Sequence, residues 1–175
     1  MEPVHLELLP APGSSILKRM AKEIERKFLV TGEPWRAAPS GATYRQGYLS
    51  LHPERTVRVR TDGKKAKLTI KGLTRGATRD EFEYDLPLAD AEAMLNQLCE
   101  RPLIEKIRYL VPHGGRTWEI DVFQGDNLGL VVAEVELDSE DQSLTLPPWV
   151  AREVTDDPRY FNANLVQNPF KNWRG

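Results

Sequence analysis

Glu23 and Glu25 stand two residues apart, and Lys27 follows at the same spacing. On a strand such residues share a face, so two carboxylates and an ammonium would line one side while Ile24 and Phe28 line the other. The arrangement recurs along the chain. Acidic pairs at this spacing occur at Glu81/Glu83, Glu119/Asp121 and Glu134/Glu136, and basic pairs at Arg58/Arg60 and Lys106/Arg108, while Lys67 and Lys71 flank Thr69. The alternate residues are apolar: Val57 and Val59, Leu68 and Ile70, Phe82 and Tyr84, Ile107 and Tyr109, Trp118 and Ile120, Val135 and Leu137.

One charged-out, apolar-in strand is what a sheet with a single wet face presents. Repeated same-sign pairs need a further reason. Two ionised carboxylates about 6 Å apart repel by roughly 3 kcal/mol at an effective dielectric of about 20, and a cation between them removes that penalty. Glutamates and aspartates would hold a hard divalent cation, Mg²⁺ or Mn²⁺, through oxygen. Arginines and lysines would hold a polyanion. A metal-bridged oligophosphate is the ligand that needs both.

The elements that must position these residues are short and alternating. "TYRQGYLSL" (43 to 51) and "TVRVR" (56 to 60) read as strands, and Asp62-Gly63 turns the latter into "AKLTIKG" as a hairpin. "RDEFEYDL" (79 to 86) alternates again. After Pro87 the period changes: Met94, Leu95, Leu98 and Cys99 fall at helical spacing, which predicts a helix over about 90 to 99 with Asp90 as its N-cap. Strands return in "LIEKIRYLV", "TWEIDVF" and "GLVVAEVEL", and Asp157-Pro158 predicts a capped closing helix. With the opening "KEIERKFLV" these make about eight strands. If the charged faces point inward, they form a mostly β (α+β) fold, a closed eight-stranded antiparallel tunnel barrel with a charged lumen. Its apolar exterior must then be covered, and the inserted and closing helices are the expected cover.

The 175 residues suit one domain with a real core, read here as residues 20–175 after a leader of residues 1–19 with little periodicity. Met20 opens that domain like a second start. A net charge of −2, from 24 basic and 26 acidic residues, gives no reason to expect nucleic acid or an anionic membrane as partner. Cys99 is the only cysteine, which excludes an intrachain disulfide and a thiolate zinc cluster; a small buried hydrophobe is the expected role. No apolar run is long enough to span a membrane and no signal-peptide core opens the chain, so a cytoplasmic protein is expected. Walker A, HExxH and CxxC motifs are absent. His5, His52 and His113 fall in the leader or in loops and are expected in solvent, and the four tryptophans are expected to pack the barrel exterior.

Glu23-x-Glu25-x-Lys27, followed in order by "GYL", "RVR", "LTIKG", "EFEYD", "EKIRY", "WEIDVF", "LVVAEVEL" and "EVTDDPRYFNANL", resembles the CYTH superfamily, the triphosphate tunnel metalloenzymes, from about Lys22 to Leu165. The resemblance implies an eight-stranded tunnel, dependence on a divalent metal and a substrate carrying a triphosphate. It implies metal-site carboxylates at Glu23, Glu25, Glu134 and Glu136, with Asp121 close by. It implies a phosphate clamp of Lys27, Arg58, Arg60, Lys71, Lys106 and Arg108. Glu81 and Glu83 join the substrate site, either supporting the metal or holding the basic residues in place, and Arg152 is placed at the tunnel mouth. Glu25, Lys27 and Lys106 are the expected catalytic residues, with Glu25 nearest the attacking water. Lys67 and Arg45 have a weaker claim, Lys67 being expected at a strand-end surface position.

"EIERKFLV" and "EVTDDPRYFNANL" resemble the bacterial inorganic triphosphatase branch. The expected activity is therefore metal-dependent hydrolysis of inorganic tripolyphosphate to pyrophosphate and phosphate, using one or two Mg²⁺ or Mn²⁺ ions. The alternatives are a nucleoside or thiamine triphosphatase, a class IV adenylate cyclase, and a non-catalytic polyphosphate-binding module. The sequence leaves the oligomeric state open.

Overall fold

The computed structural model describes residues 24–73, 80–139 and 141–173. The 1–19 leader and Glu23 lie outside the described residues. The described chain runs β1 (Ile24–Val30), β2 (Gly41–Ser50), β3 (Arg55–Thr61), β4 (Ala66–Gly72), β5 (Glu81–Leu86), α1 (Leu88–Gln97), β6 (Ile104–His113), β7 (Arg116–Phe123), β8 (Val131–Leu137), β9 (Val150–Glu153) and α2 (Asn162–Gln167). The strands form one antiparallel sheet in the order β5-β4-β3-β2-β6-β7-β8-β1-β9. Nine strands replace the eight expected, because β9 docks on β1. Its four residues are too short to show an alternating pattern. Among the described residues hydrogen bonding does not close the sheet, and β5 and β9 are its edges. No helix among the described residues is long and apolar enough to cross a membrane.

Local chemistry explains the turns. The Asp62 carboxylate accepts from the Lys64 and Lys65 amides at 2.8 and 2.7 Å, and Gly63 supplies φ +83°, so β3 turns into β4 as expected. Helix α1 starts earlier than expected. Pro87 holds the N-cap position without a side-chain cap, its carbonyl accepting from Asp90 and Ala91, and Asp90 lies in the first turn, where its charge favours the helix dipole. Asp157 caps as expected, accepting from the Arg159 amide at 3.2 Å, but the turn it opens is a short 3₁₀ segment before α2.

Antiparallel partners share a face, so the register carries one parity across the sheet: Lys27 faces Glu134, Glu134 faces Glu119, Asp121 faces Arg108, Lys106 faces Tyr44, Gln46 faces Arg60, and Thr69 faces Arg58 and Glu83. The charged residues thus lie on one face from edge to edge. Two apolar clusters lie on the other face. Val59, Ala66 and Leu68 pack beneath Ala91 and Leu95 of α1, where Cys99 is buried. A Cβ on Gly47 would come within 2.6 Å of the Cys99 Cβ, so only glycine admits the helix end this close. Phe28, Trp118, Ile120, Ala133 and Val135 pack with Trp35 and Trp149.

The third cluster departs from expectation. Leu29, Tyr48, Ile104, Phe123 and Val132 have the parity of the charged residues, yet they pack with Val154, Tyr160, Leu165, Val166 and Trp173. The segment containing α2 therefore sits against one end of the charged face, not on the exterior, and Trp173 goes with it. The reason is local. At that end the positions of the charged-face parity turn apolar and offer a surface that an apolar segment can bury.

Phe28→Ala is expected to cost about 3–5 kcal/mol in urea unfolding, because a buried ring is removed. Its neighbour Arg26 makes a partly exposed ion pair with Glu153, so Arg26→Gln should cost less than about 1 kcal/mol. Equal losses would contradict the burial of Phe28 and the weak, partly exposed character of the Arg26–Glu153 pair.

Candidate functional site

The charged face divides into two groups of side chains. The first spans β1, β8, β7 and β6. The Lys27 ammonium donates to Glu25 Oε1 and Glu134 Oε1, each at 2.6 Å. Arg108 grips Asp121 with two bonds of 2.7 Å, reaches Glu134 Oε2 at 3.0 Å and pairs with Glu119, while Lys106 pairs with Asp121. Burial alone would lower the Lys27 pKa, but Glu134 and Glu25 outweigh it and hold it above the usual lysine range. Burial would raise the Glu134 carboxyl, yet Lys27, Lys106 and Arg108 hold it well below the carboxylate range. The Lys106 ammonium is pulled down by its burial and by Arg108, against Asp121. Glu119 is pushed up by burial and by its acidic neighbours, against Arg108.

The second group spans β3, β4 and β5. Lys71 pairs with Glu81 at 2.7 Å, and Lys67 with Glu83 at 2.5 Å. Lys67 is thus tied into the charged face, not left at a surface strand end. Glu83 lies 3.8 Å from Arg60, and Arg58 donates to the Thr69 hydroxyl at 3.2 Å. Glu81 and Glu83 are thus each ion-paired to a lysine of β4. The Arg58 Nε is buried and has no hydrogen-bond partner among the described residues. Arg60 is held below its ordinary value by burial, then by Arg58 and by Arg108 of the first group. Arg60 is thus within electrostatic range of two other guanidiniums, and a cluster of like charges of this kind suits an anion.

Tyr44 links the groups, its ring centroid lying 5.5 Å from the Arg60 guanidinium carbon and 5.8 Å from that of Arg108. Neither Tyr44 nor Glu119 carries an expected role. Tyr44 has no charged partner two residues away, and only its inward parity beside "RVR" marks it. Two other arginines fall outside these groups. Arg152, at the sheet edge, has a side chain 58% exposed and bonds the Tyr160 hydroxyl at 3.1 Å. Arg45 lies on the opposite face, where it ties Glu92 and Asn96 of α1 to the sheet.

Glu25, Glu119, Glu134 and Glu136 line a cavity of about 330 Å³ with Thr117 and Arg116. Glu25 faces Glu136 across the β1–β8 pair, and Glu119 faces Glu134 across β7–β8. Like charges directly opposite destabilise a sheet unless a cation intervenes. Here Lys27 and Arg108 already serve Glu25, Glu134 and Glu119, whereas Glu136 makes no ion pair among the described residues. No three acidic, histidine or cysteine side chains meet at metal-ligand spacing among the described residues. The all-oxygen donor set nevertheless suits a hard divalent cation.

Comparison with known proteins places these residues in context. The CYTH domain family matches residues 21–167. An inorganic triphosphatase of Acetivibrio thermocellus is 48% identical over 155 residues, 89% of this chain and 99% of that protein. One of Nitrosomonas europaea is 39% identical over 153 residues, 82% of this chain and 96% of that protein. A crystal structure of an inorganic triphosphatase superposes with a TM-score of 0.62 at 34% identity, covering 85% of this chain and 96% of the other. A putative adenylate cyclase from Bacillus halodurans, 16% identical, shares the fold with a TM-score of 0.54 over 67% of this chain and 81% of its own.

Removing one partner from the buried network should separate its members. Glu134→Gln leaves Lys27 short of a counter-charge and is expected to cost about 3–5 kcal/mol at neutral pH. Glu136→Gln should stay within about 0.5 kcal/mol of the wild type or stabilise it. A depressed carboxyl pKa contributes stability above the unfolded value, about 4.3, that is lost as pH falls through the folded value. The gap between wild type and Glu134→Gln should therefore narrow on acidification below about 4.3, as read by urea unfolding across pH.

Proposed function

The chain belongs to the CYTH family, and from that premise we propose that it hydrolyses a linear triphosphate, splitting inorganic tripolyphosphate into pyrophosphate and phosphate. The observation that carries this reading is the convergence of Arg58, Arg60 and Arg108, with one buried guanidinium donor unused, beside a wall of carboxylates. A closed tunnel is the architecture we infer. It is supported by the single charged parity that runs from β1 through β8, β7, β6, β2, β3 and β4 to β5, since such a face is best satisfied around one enclosed polyanion.

Arg58, Arg60, Arg108 and Lys71 would neutralise and orient the phosphate oxygens, the arginines by paired N–H donors. Glu23, Glu25, Glu134 and Glu136, with Asp121, would hold a divalent cation, Mg²⁺ or Mn²⁺. Such an ion, when bound, lowers the charge on phosphate oxygens and the pKa of water. Lys27 and Lys106 hold Glu25, Glu134 and Asp121 in place by ion pairing. Water adds to a terminal phosphorus, the P–O–P bond breaks, pyrophosphate leaves, and Glu25 receives the water's proton and passes it to solvent. Most of the barrier reduction is then positioning and charge stabilisation, as is general for phosphoryl transfer. The α2 segment buries Tyr48, Phe123 and Tyr160 at one end of the charged face, so these rings are not open for a base to stack on, which favours an inorganic substrate.

The purified protein with Mg²⁺ or Mn²⁺ is expected to release phosphate from tripolyphosphate faster than from ATP or thiamine triphosphate, and to form no cyclic AMP from ATP. Full turnover in excess chelator would contradict the role given to the carboxylates, and tight binding without turnover would leave a binding module. Arg60→Ala should lower kcat/KM about tenfold to hundredfold, the worth of one lost charge-assisted contact, with thermal unfolding unchanged.

A further inference from the structure

The neutral strand between the two charge groups carries a residue with a definite task. On β2 the charged-face positions are Ala42, Tyr44, Gln46 and Tyr48. Ala42 faces Arg108 on β6 and Gln46 faces Arg60 on β3, so both arginines reach Tyr44 along the diagonal of the sheet, one from each side. Their guanidinium carbons lie 5.5 and 5.8 Å from its ring centroid, within the range at which a cation is attracted to a ring face. Tyr44 has no other evident structural work. Tyr48, Tyr109 and Tyr160 pack into the apolar clusters, whereas Tyr44 belongs to none of them and is only half-buried.

The two arginines are not equally restrained. Arg108 is locked by two bonds to Asp121 and by pairs to Glu119 and Glu134. Among the described residues Arg60 has a single carboxylate, Glu83, at 3.8 Å, and its like-charged neighbours Arg58 and Arg108 push it away. Among the described residues no other contact holds Arg60 beside Arg108.

We propose that Tyr44 is a positioning residue whose ring holds the Arg60 guanidinium beside the fixed Arg108, so that two clamp donors from separate strands are pre-set for one oligophosphate. The proposal rests on the triphosphate reading of the site. Its basis is the ring face, not the hydroxyl, which accepts and donates no hydrogen bond among the described residues. Without the ring, Arg60 would spread from Arg108 and a substrate would have to gather it, which weakens binding.

The test uses calorimetric binding and steady-state hydrolysis of inorganic tripolyphosphate by the full chain. Tyr44→Leu is expected to weaken binding and raise KM about tenfold with a smaller change in kcat, and Tyr44→Phe to restore binding to within about threefold of wild type. In an Arg60→Ala background, Tyr44→Leu should add little. Phenylalanines of increasing fluorine content placed at position 44 keep the shape while weakening the ring's negative face. They should raise KM stepwise, and they decide the matter even if Tyr44→Leu unfolds. A wild-type KM in Tyr44→Leu, a Tyr44→Phe as weak as Tyr44→Leu, additive losses with Arg60→Ala, or indifference to fluorination would each overturn the proposal. In those cases wild-type turnover leaves the triphosphate reading standing, whereas a wild type that neither binds nor cleaves tripolyphosphate overturns both.

Discussion

Lys27, Lys106, Arg108, Asp121 and Glu134 lie almost out of reach of water, and each is tolerable there only because of the others. Desolvating one ion costs several kcal/mol, and mutual attraction at low dielectric repays it only when every lone pair and proton has a partner. The network gives each of its ions at least one opposite charge, and it does so through four strands at once. It therefore fixes strand register more strictly than apolar packing could. A slip of one residue on any of the four would put a charge among aromatic rings and a ring among charges.

That arrangement also dictates where the hydrophobic core can be. A sheet with one charged face must bury its apolar surface on the other, and here it does so in two separate patches. One lies under α1; the other lies under Trp35, Trp149 and the chain leading to β9. The third patch is on the charged face itself and belongs to the α2 segment. Stability is thus spread over three modest clusters and an ion network, so the charged site is not an addition to a finished scaffold.

Much of this was legible in the residues themselves. The i, i+2 charge pairs against apolar neighbours announced the parity, and parity alone places Glu25, Lys27, Arg58, Arg60, Lys106, Arg108, Glu134 and Glu136 on one face. Asp-Gly and Asp-Pro signals announced turns because they have local causes. What escaped had non-local causes. β9 pairs through backbone groups that any four residues could supply. The position of α2 depends on Leu29, Phe123 and Val132 being inward, which shows only once the strands are in register. Lys67 and Tyr44 acquire their partners across strands, and sequence spacing carries no record of that.

The pairing of β1 with β8 has a consequence for how the protein comes into being. Ile24 must wait for Leu137 before its strand has a neighbour on that side. Glu25 and Lys27 therefore leave the ribosome ahead of the rest of the sheet and are among the last of its groups to be enclosed. Such distant contacts slow folding and leave a strand edge exposed in the interval. During that interval β1 is a strand bearing Glu25, Arg26 and Lys27 among its apolar residues, and those charges are what discourage it from pairing with another nascent chain. The residues read here as serving hydrolysis would act first as guards of solubility.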